Sequence, residues 1–432
     1  MTVPDRLVPG DLVETVRGAK VVEPDASSER ARSLRVEGGL LRAAEDPDRA
    51  SGRDGDPGRA QVDGRGWLVL PTLVDAHAHL DKAYTLDEAA PSGLDLDGAI
   101  AAWHRIGETI TEASILERAR RGLTAALEAG VTAVRSHVNY HAGPDPLRGV
   151  RALVALREEY RGLVDLQVVA MQSHDRPIEL VREAAALGPD LLGACPHLTP
   201  DPAAETARVA AVAEEHGLGL DLHTDETLDP ASLDVVTLAE RTAGWPAGRI
   251  RTASHCVSLA ALAPQRLREV LARVAAAGVS IVTNPHTNLL MQGRGAPPPA
   301  PRGLPPLAEI LDAGISLAVG GDNVQDPFHP LGDGDVWDAV ALLVVAGHLD
   351  PFRAVRVASA GGRRVLGLPP AALRAGDPAD FVLVRADALT QAIAERAPDR
   401  VVVRGGRVVA VRRSHRRSLT PAPLPVRAGA VR

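Results

Sequence analysis

Between residues 67 and 320, short apolar runs alternate with longer segments whose apolar residues recur at helical spacing, as in 203–216. Gly130, Gly217 and Gly278 stand where such helices would end before the next strand. Eight strands that alternate with helices over about 250 residues predict a (β/α)8 barrel of the TIM type. A doubly wound open sheet is the alternative, but it would not place polar residues at strand ends on all sides. The predicted strands lie near 67–74, 131–137, 164–171, 191–196, 218–222, 250–254, 279–284 and 315–320.

The two chain ends show a different pattern of short apolar runs broken by turn residues. Runs at 12–16 and 34–37 precede the barrel, and runs at 380–384 and 401–409 follow it. The glycine pair within the last run predicts a hairpin. We therefore expect a small β-sandwich made from both chain termini. The predicted limits are 1–66 and 366–411 for this domain, 67–365 for the barrel and 412–432 for a disordered tail.

The charge balance excludes some classes of partner. Lys and Arg number 48 against 55 Asp and Glu, which gives a net charge of −7 and no indication of a nucleic-acid or anionic-membrane partner.

The two cysteines, Cys195 and Cys256, lie in separate segments and indicate reduced, buried side chains. No apolar run reaches the roughly 18 residues of a membrane span, and the first residues do not resemble a signal peptide. We expect a cytoplasmic protein.

Candidate metal ligands stand at the ends of several predicted strands. His77 and His79 end the first strand and, being two residues apart, point to the same side. His223 closes the fifth strand, His255 the sixth and Asp322 the eighth. In a barrel these ends meet at one face. Three imidazoles and a carboxylate around one divalent ion leave a position for water, and both Zn²⁺ and Fe²⁺ suit such donors.

The same strand ends carry candidates for proton transfer. Glu226 lies three residues beyond His223, where its carboxylate could take a proton from the water and deliver it to a leaving nitrogen. Asp322 could orient the water as well as bind metal. Two roles stay open for His255: a direct metal ligand, or a hydrogen-bond donor to the developing oxyanion.

The lysine count bears on the number of metal ions. Many binuclear hydrolases of such folds bridge two metals through a carboxylated lysine after the fourth strand. This chain has only Lys20 and Lys82, and neither lies near 191–196. We therefore expect a single metal ion.

Several short motifs together resemble the amidohydrolase superfamily, and specifically its cytosine deaminases, over about residues 30 to 411. The resemblance implies that His77, His79, His223 and Asp322 bind one zinc or iron ion. It also implies that Glu226 moves the proton and that His255 assists the attacking water. The implied reaction is hydrolytic deamination of a small nitrogen heterocycle with release of ammonia, and relatives are commonly homo-oligomers. The motifs are 75–81, 165–170, 193–197, 221–226, 252–255, 284–289, 292–294 and 322–328.

Two departures from the cytosine deaminase pattern concern the substrate. Those enzymes carry Phe-Pro-Gln after the third strand, and the Gln reads the pyrimidine edge. Here Ser173 stands at the aligned position and Gln172 one place earlier, while Asn323 replaces a second aspartate. An amide in place of a carboxylate removes a charge and adds two donors, so the preferred ring pattern should change. We take Gln172, Ser173, Asn323 and Lys82 as candidate substrate-binding residues.

Three functions remain open at this point. The first is deamination of cytosine or a related amino-substituted heterocycle. The second keeps the metal site but removes a substituted amine from a triazine-like ring or opens a cyclic amide. The third is a catalytically silent relative that serves as a binding protein. The proline-rich segment 293–306 is either a lid over the barrel mouth or a surface connection.

Overall fold

The computed structural model describes residues 2–23, 25, 27–43, 58–89, 95–172, 176–294 and 301–414. Three of the sequence predictions therefore fall wholly or partly outside the described residues. They are the predictions on Ser173, on the lid segment through residues 295–300, and on the tail from residue 415 onwards.

Eight parallel strands in the described part of the chain form the barrel, in sequential order from the first to the last. Backbone pairing between Ala78 and Asp322 joins the first strand to the end of the last and closes the circle. The predicted barrel is confirmed. Its strands are β8 (Leu73–Ala78), β9 (Val131–Asn139), β10 (Asp165–Met171), β11 (Leu191–Gly193), β12 (Gly219–Thr224), β13 (Arg251–His255), β14 (Ser280–Thr283) and β15 (Leu317–Val319).

Helices cover the outside of the barrel, and capping side chains and glycines mark where several of them begin and end. The Thr111 and Asp201 side chains accept backbone N–H groups at the starts of α3 and α6, and Gly217 ends α6 with φ at 70°. No described helix is long and apolar enough to cross a membrane. The helices are α1 (Leu86–Ala89), α2 (Leu96–Ile106), α3 (Glu112–Glu128), α4 (Arg148–Glu159), α5 (Ile178–Ala186), α6 (Pro202–His216), α7 (Asp234–Thr242), α8 (Pro264–Ala276), α9 (Pro285–Met291), α10 (Leu307–Asp312), α11 (Val336–Val345), α12 (Pro351–Arg356), α13 (Gly362–Val365) and α14 (Leu389–Ala394).

Strands from both chain ends form a separate mixed sheet of ten strands within the described residues. Val21 and Leu41 lie near opposite ends of the strand order, yet both pack in one apolar cluster with Phe381 and Val401. The sheet therefore curves around a core of its own, as the prediction of a small domain from both termini requires. The strands are β1 (Leu12–Arg17), β2 (Lys20–Glu23), β3 (Ser28–Ala31), β4 (Leu34–Glu37), β5 (Leu40–Arg42), β6 (Arg59–Asp63), β7 (Trp67–Pro71), β16 (Phe381–Arg385), β17 (Arg400–Arg404) and β18 (Arg407–Arg412).

The predicted strand 67–74 is wrong in one respect, because the structure divides it in two. β7 pairs with β2 and β16 in the terminal sheet, whereas β8 pairs with β9 in the barrel. The two strands are buried throughout, so hydrophobicity alone runs across the break at Thr72 without interruption. We propose Thr72 as the point where the chain passes from one domain to the other.

Arg400 connects the terminal sheet to the barrel. Its guanidinium is fully buried and donates hydrogen bonds to the carbonyl oxygens of Ala397 (2.5 Å) and Ala129 (2.9 Å) and to Oδ2 of Asp335 (2.7 Å). Ala129 ends α3 and the Asp335 side chain caps α11, so one side chain holds three elements together. A buried cation is tolerated only when its donors are satisfied in this way.

We predict that Arg400→Met lowers the free energy of unfolding by about 3–5 kcal/mol, because it leaves the Asp335 carboxylate buried with less compensation. Arg161→Met is the matched control, since that side chain is 75% exposed and pairs with Glu158 at the surface. Its effect should stay below about 1 kcal/mol. Urea unfolding followed by circular dichroism measures both, and equal midpoints would show that Arg400 does not join the two domains.

Candidate active site

The four predicted metal donors lie together at the carboxyl end of the barrel. His77 lies on β8 and His79 one residue beyond it. His223 lies on β12, and Asp322 follows β15. Nε2 of His79 is 3.1 Å from Nε2 of His223 and 3.4 Å from Oδ1 of Asp322. The same oxygen is 3.6 Å from Nε2 of His77.

These distances fit a single tetrahedral metal ion. With bonds of about 2.0–2.2 Å, neighbouring donors of a tetrahedral site lie roughly 3.3–3.5 Å apart. Nε2 of His77 and Oδ2 of Asp322 are buried and have no hydrogen-bond partner among the described residues. Two ring nitrogens that face each other, together with a carboxylate, are donors that a divalent cation would satisfy. The cluster is therefore able to bind a metal ion.

Burial sets the protonation of these donors. It lowers the pKa values of His77, His79 and His223 well below the usual range, so their imidazoles are neutral and offer lone pairs. Burial also raises the pKa of Asp322 to about 7. A cation among the three rings would favour the charged carboxylate.

The backbone of the ligand residues closes the barrel. Asp322 N–H donates to the carbonyl oxygen of His77 (2.7 Å), and His79 N–H donates to that of Asp322 (2.9 Å). Gly320 makes this approach possible, because a Cβ there would lie 2.5 Å from Cβ of His77. Asp75 accepts hydrogen bonds from the N–H groups of Gly321 (2.9 Å) and His77 (3.2 Å) and holds the two strands in register.

A buried polar chain orients His77 from below. Ser254 Oγ donates to Oδ1 of Asp221 (2.8 Å), so it accepts from Nδ1 of His77 (2.9 Å) and leaves the lone pair of Nε2 free. Arg135 holds the other oxygen of Asp221 at 2.7 Å. Burial alone would raise the pKa of Asp221, but His137 and Arg135 outweigh it and lower that pKa below its usual range.

Glu226 and His255 lie side by side at the same mouth. Oε1 of Glu226 is 3.4 Å from Nδ1 of His255. Nδ2 of Asn288 lies 3.3 Å from that oxygen and 3.0 Å from that nitrogen, and Asn284 Nδ2 lies 3.2 Å from Nε2 of His255. Burial, then the charge of Asp322, raises the pKa of Glu226 to about 8, whereas burial lowers the pKa of His255 to about 3. The pair thus combines a carboxyl group that holds its proton near neutral pH with a neutral imidazole.

These groups open into one cavity of about 330 Å³, at the lower end of the range of about 300–1,000 Å³ that is usual for small-molecule sites. Polar and apolar residues both line it. The polar residues include His79, His223, Glu226, His255 and Asp322, and the apolar residues include Leu96, Ile100, Trp103, Leu198 and Phe328.

Three of the four candidate substrate-binding residues line this cavity, and the fourth, Ser173, lies outside the described residues. Nζ of Lys82 lies 4.5 Å from the ring centre of Phe328. Asn323 donates through Nδ2 to Oδ2 of Asp326 (2.7 Å), which fixes the direction of its amide. Gln172 also lies against the cavity, one residue beyond the end of β10.

Sequence reasoning missed several residues of the site. His137 stacks on His77 with ring centres 4.0 Å apart, and it could have been found because it ends a predicted strand, as His223 does. His77, His137 and Asp221 could also hold a metal ion by spacing alone. Asn284 and Asn288 belonged to a recognised motif but received no role. Nothing in the sequence indicated that residues of α2 would line the cavity.

The chain has detectable similarity to known proteins. The model of the amidohydrolase family matches residues 96–410. The chain is 32% identical over 366 residues to a pterin deaminase of Rhizobium rhizogenes. The matched segment covers 81% of this chain and 82% of that protein.

Two solved structures share both fold and detectable sequence similarity. One is 5-methylcytosine deaminase from Klebsiella pneumoniae liganded with phosphonocytosine, with a TM-score of 0.83, 26% identity and coverage of 94% of this chain and 100% of that chain. The other is N-isopropylammelide isopropylaminohydrolase from Burkholderia multivorans, with a TM-score of 0.73, 28% identity and coverage of 94% and 99%.

We predict that Gly320→Ala weakens metal binding by about 10- to 100-fold, because the added methyl group forces the end of β15 away from His77 and displaces Asp322. Gly244→Ala is the control, since no atom lies within 4 Å of the Cβ position there. Metal content after dialysis against a limiting chelator measures the effect. Equal retention by both variants would contradict the role of the close approach.

Proposed function

Because the chain belongs to the amidohydrolase family, we propose that it is a metal-dependent hydrolytic deaminase of amino-substituted nitrogen heterocycles. The observation that carries this proposal is the cluster of four metal donors, with donor distances of 3.1–3.6 Å, beside a cavity that a buried carboxyl group lines. A silent binding protein would not need Glu226 beside such donors.

In this proposal His77, His79, His223 and Asp322 hold one divalent ion, Zn²⁺ or Fe²⁺. Such an ion lowers the pKa of a bound water towards neutrality and so supplies the nucleophile. The neutral imidazoles and the buried carboxylate of this chain fix where that nucleophile stands.

Glu226 moves the proton. Burial and the charge of Asp322 raise its pKa to about 8, and a cation at the four donors would lower that pKa and favour the carboxylate. In this ionised form Glu226 can accept a proton from the attacking water and return it to the leaving nitrogen. Asn288 and the contact of Gln292 Nε2 with the Glu226 carbonyl oxygen (2.9 Å) keep this side chain at the cavity mouth. The amino nitrogen must be protonated before it can leave as ammonia. Delivery of the proton by Glu226 is therefore required for cleavage of the C–N bond.

His255 supports the attack as a neutral ring. The neutral ring carries one N–H, which in this proposal it offers to an oxygen that gains negative charge. Nδ2 of Asn288 lies 3.0 Å from its Nδ1 and Nδ2 of Asn284 lies 3.2 Å from its Nε2, and these contacts hold the ring in place. The pKa of about 3 keeps this ring neutral across the working pH range. We assign it a hydrogen-bonding role rather than that of a fifth ligand.

A pterin is the first ring we propose as substrate, and cytosine is the second. The pterin deaminase relative supports the former, and the 5-methylcytosine deaminase structure supports the latter. The apolar part of the cavity lining that α2 contributes, with Leu96, Ile100 and Trp103, suits a fused second ring. It equally suits an alkyl group on a leaving amine, and with the N-isopropylammelide relative this supports a second candidate, removal of a substituted amine from a triazine.

The test is product release from a panel of rings by protein that has been stripped of metal and reloaded separately with Zn²⁺ or Fe²⁺. The panel contains pterin, cytosine, an aminotriazine and its N-isopropyl derivative. We expect ammonia from pterin or cytosine with at least one metal and none from the stripped protein. Isopropylamine from the last ring alone would favour the second candidate. No product from any ring with either metal would contradict the proposal.

Glu226→Gln is the variant that isolates the chemical step. We expect it to lower kcat by about 10²- to 10⁴-fold, because the amide cannot carry the proton, with the bound metal per chain unchanged. Glu240→Gln is the control, since that carboxylate is exposed on α7 and pairs with Arg273. Turnover by Glu226→Gln at the rate of this control would remove Glu226 from the mechanism.

A further inference from the structure

Gln172 lies one residue beyond the end of β10 and lines the cavity. Its backbone N–H donates to the carbonyl oxygen of Gly193 (3.1 Å) at the end of β11, and its side chain is only 2% exposed. The regular alternation of β10 ends at Met171, so both Met171 and Gln172 face the cavity. Gln172 therefore lines the space that a ring would enter.

Glu205 determines which end of the Gln172 amide faces that ring. The Glu205 carboxylate, in the first turn of α6, accepts a hydrogen bond from Nε2 of Gln172. Arg208 holds the same carboxylate through Nε (2.9 Å) and Nη2 (3.2 Å). A carboxylate has no hydrogen to donate, so the amide must turn its NH₂ group to Glu205 and its oxygen away.

The oxygen that results is an acceptor without a partner. Oε1 of Gln172 is buried and makes no hydrogen bond within the described part of the chain. A ring N–H that meets this oxygen restores the hydrogen bond, whereas a ring nitrogen with a lone pair places two acceptors face to face. Sites built in this way discriminate strongly against ligands that lack the donor.

We infer that Glu205 is a positioning residue that makes Gln172 select heterocycles with a ring N–H, such as a lactam, at the edge facing β10. The inference rests on the proposed function and narrows its substrate class. Pterin contains such an N–H at N3, beside its amino-bearing carbon. In 2,4-diaminopteridine, which has nearly the shape of pterin, the corresponding ring nitrogen carries a lone pair.

The experiment compares kcat/KM for pterin with that for 2,4-diaminopteridine in the metal-loaded enzyme, and a ring that is not turned over is measured as a competitive inhibitor. We expect the wild type to prefer pterin by tenfold or more. Glu205→Gln should narrow this preference by about tenfold, because an amide at 205 offers both a donor and an acceptor and lets Gln172 present either end. Gln172→Leu should narrow the preference for pterin by the same factor. The variant that carries both substitutions should narrow it no further than either substitution alone.

Glu215→Gln is the matched control, because that carboxylate lies on the same helix, is exposed and contacts Arg182 rather than the cavity. Its preference ratio should equal that of the wild type. An unchanged ratio in both Glu205→Gln and Gln172→Leu, with deamination retained, would overturn this inference and leave the proposed function standing. Absence of deamination of every ring would instead overturn the proposed function, and the inference with it.

Discussion

Two backbone hydrogen bonds at the junction of β8 and β15 place the whole candidate site. They link His77 and His79 to Asp322, so the contacts that close the barrel are made by the residues that offer metal donors. Closure of the fold and placement of the donors are therefore one event. The absence of a side chain at Gly320 lets the two strands approach closely enough for both.

Several side chains of the site are held in place by a second group. Ser254 and Asp221 fix the tautomer of His77, and Asn288 holds Glu226 next to His255. These groups lie on strands, at strand ends or, for Asn288, on α9 rather than on long loops, which gives the precision that hydrolytic chemistry needs. Burial supports the chemistry because it keeps the imidazoles neutral and raises the pKa of Glu226 well above that of an exposed carboxylate.

Periodicity predicts the barrel strands, and the rule that strand ends meet on one face predicts from the sequence that His77, His79, His223 and Asp322 lie together. The same reasoning missed the division at Thr72, because the apolar pattern is continuous where the chain changes sheets. It could not predict which way the Gln172 side chain points, since the alternation of side chains between the two faces of a strand ends where β10 ends. The contact between Gln172 and Glu205 joins residues 33 apart in sequence and leaves no local pattern.

The most direct test of this account is a crystal structure of the zinc-loaded protein with anomalous diffraction measured on both sides of the zinc absorption edge. The account predicts one strong peak within bonding distance of His77, His79, His223 and Asp322, with Glu226 outside the coordination shell. A peak centred instead among His77, His137 and Asp221, or two peaks of equal height, would contradict it.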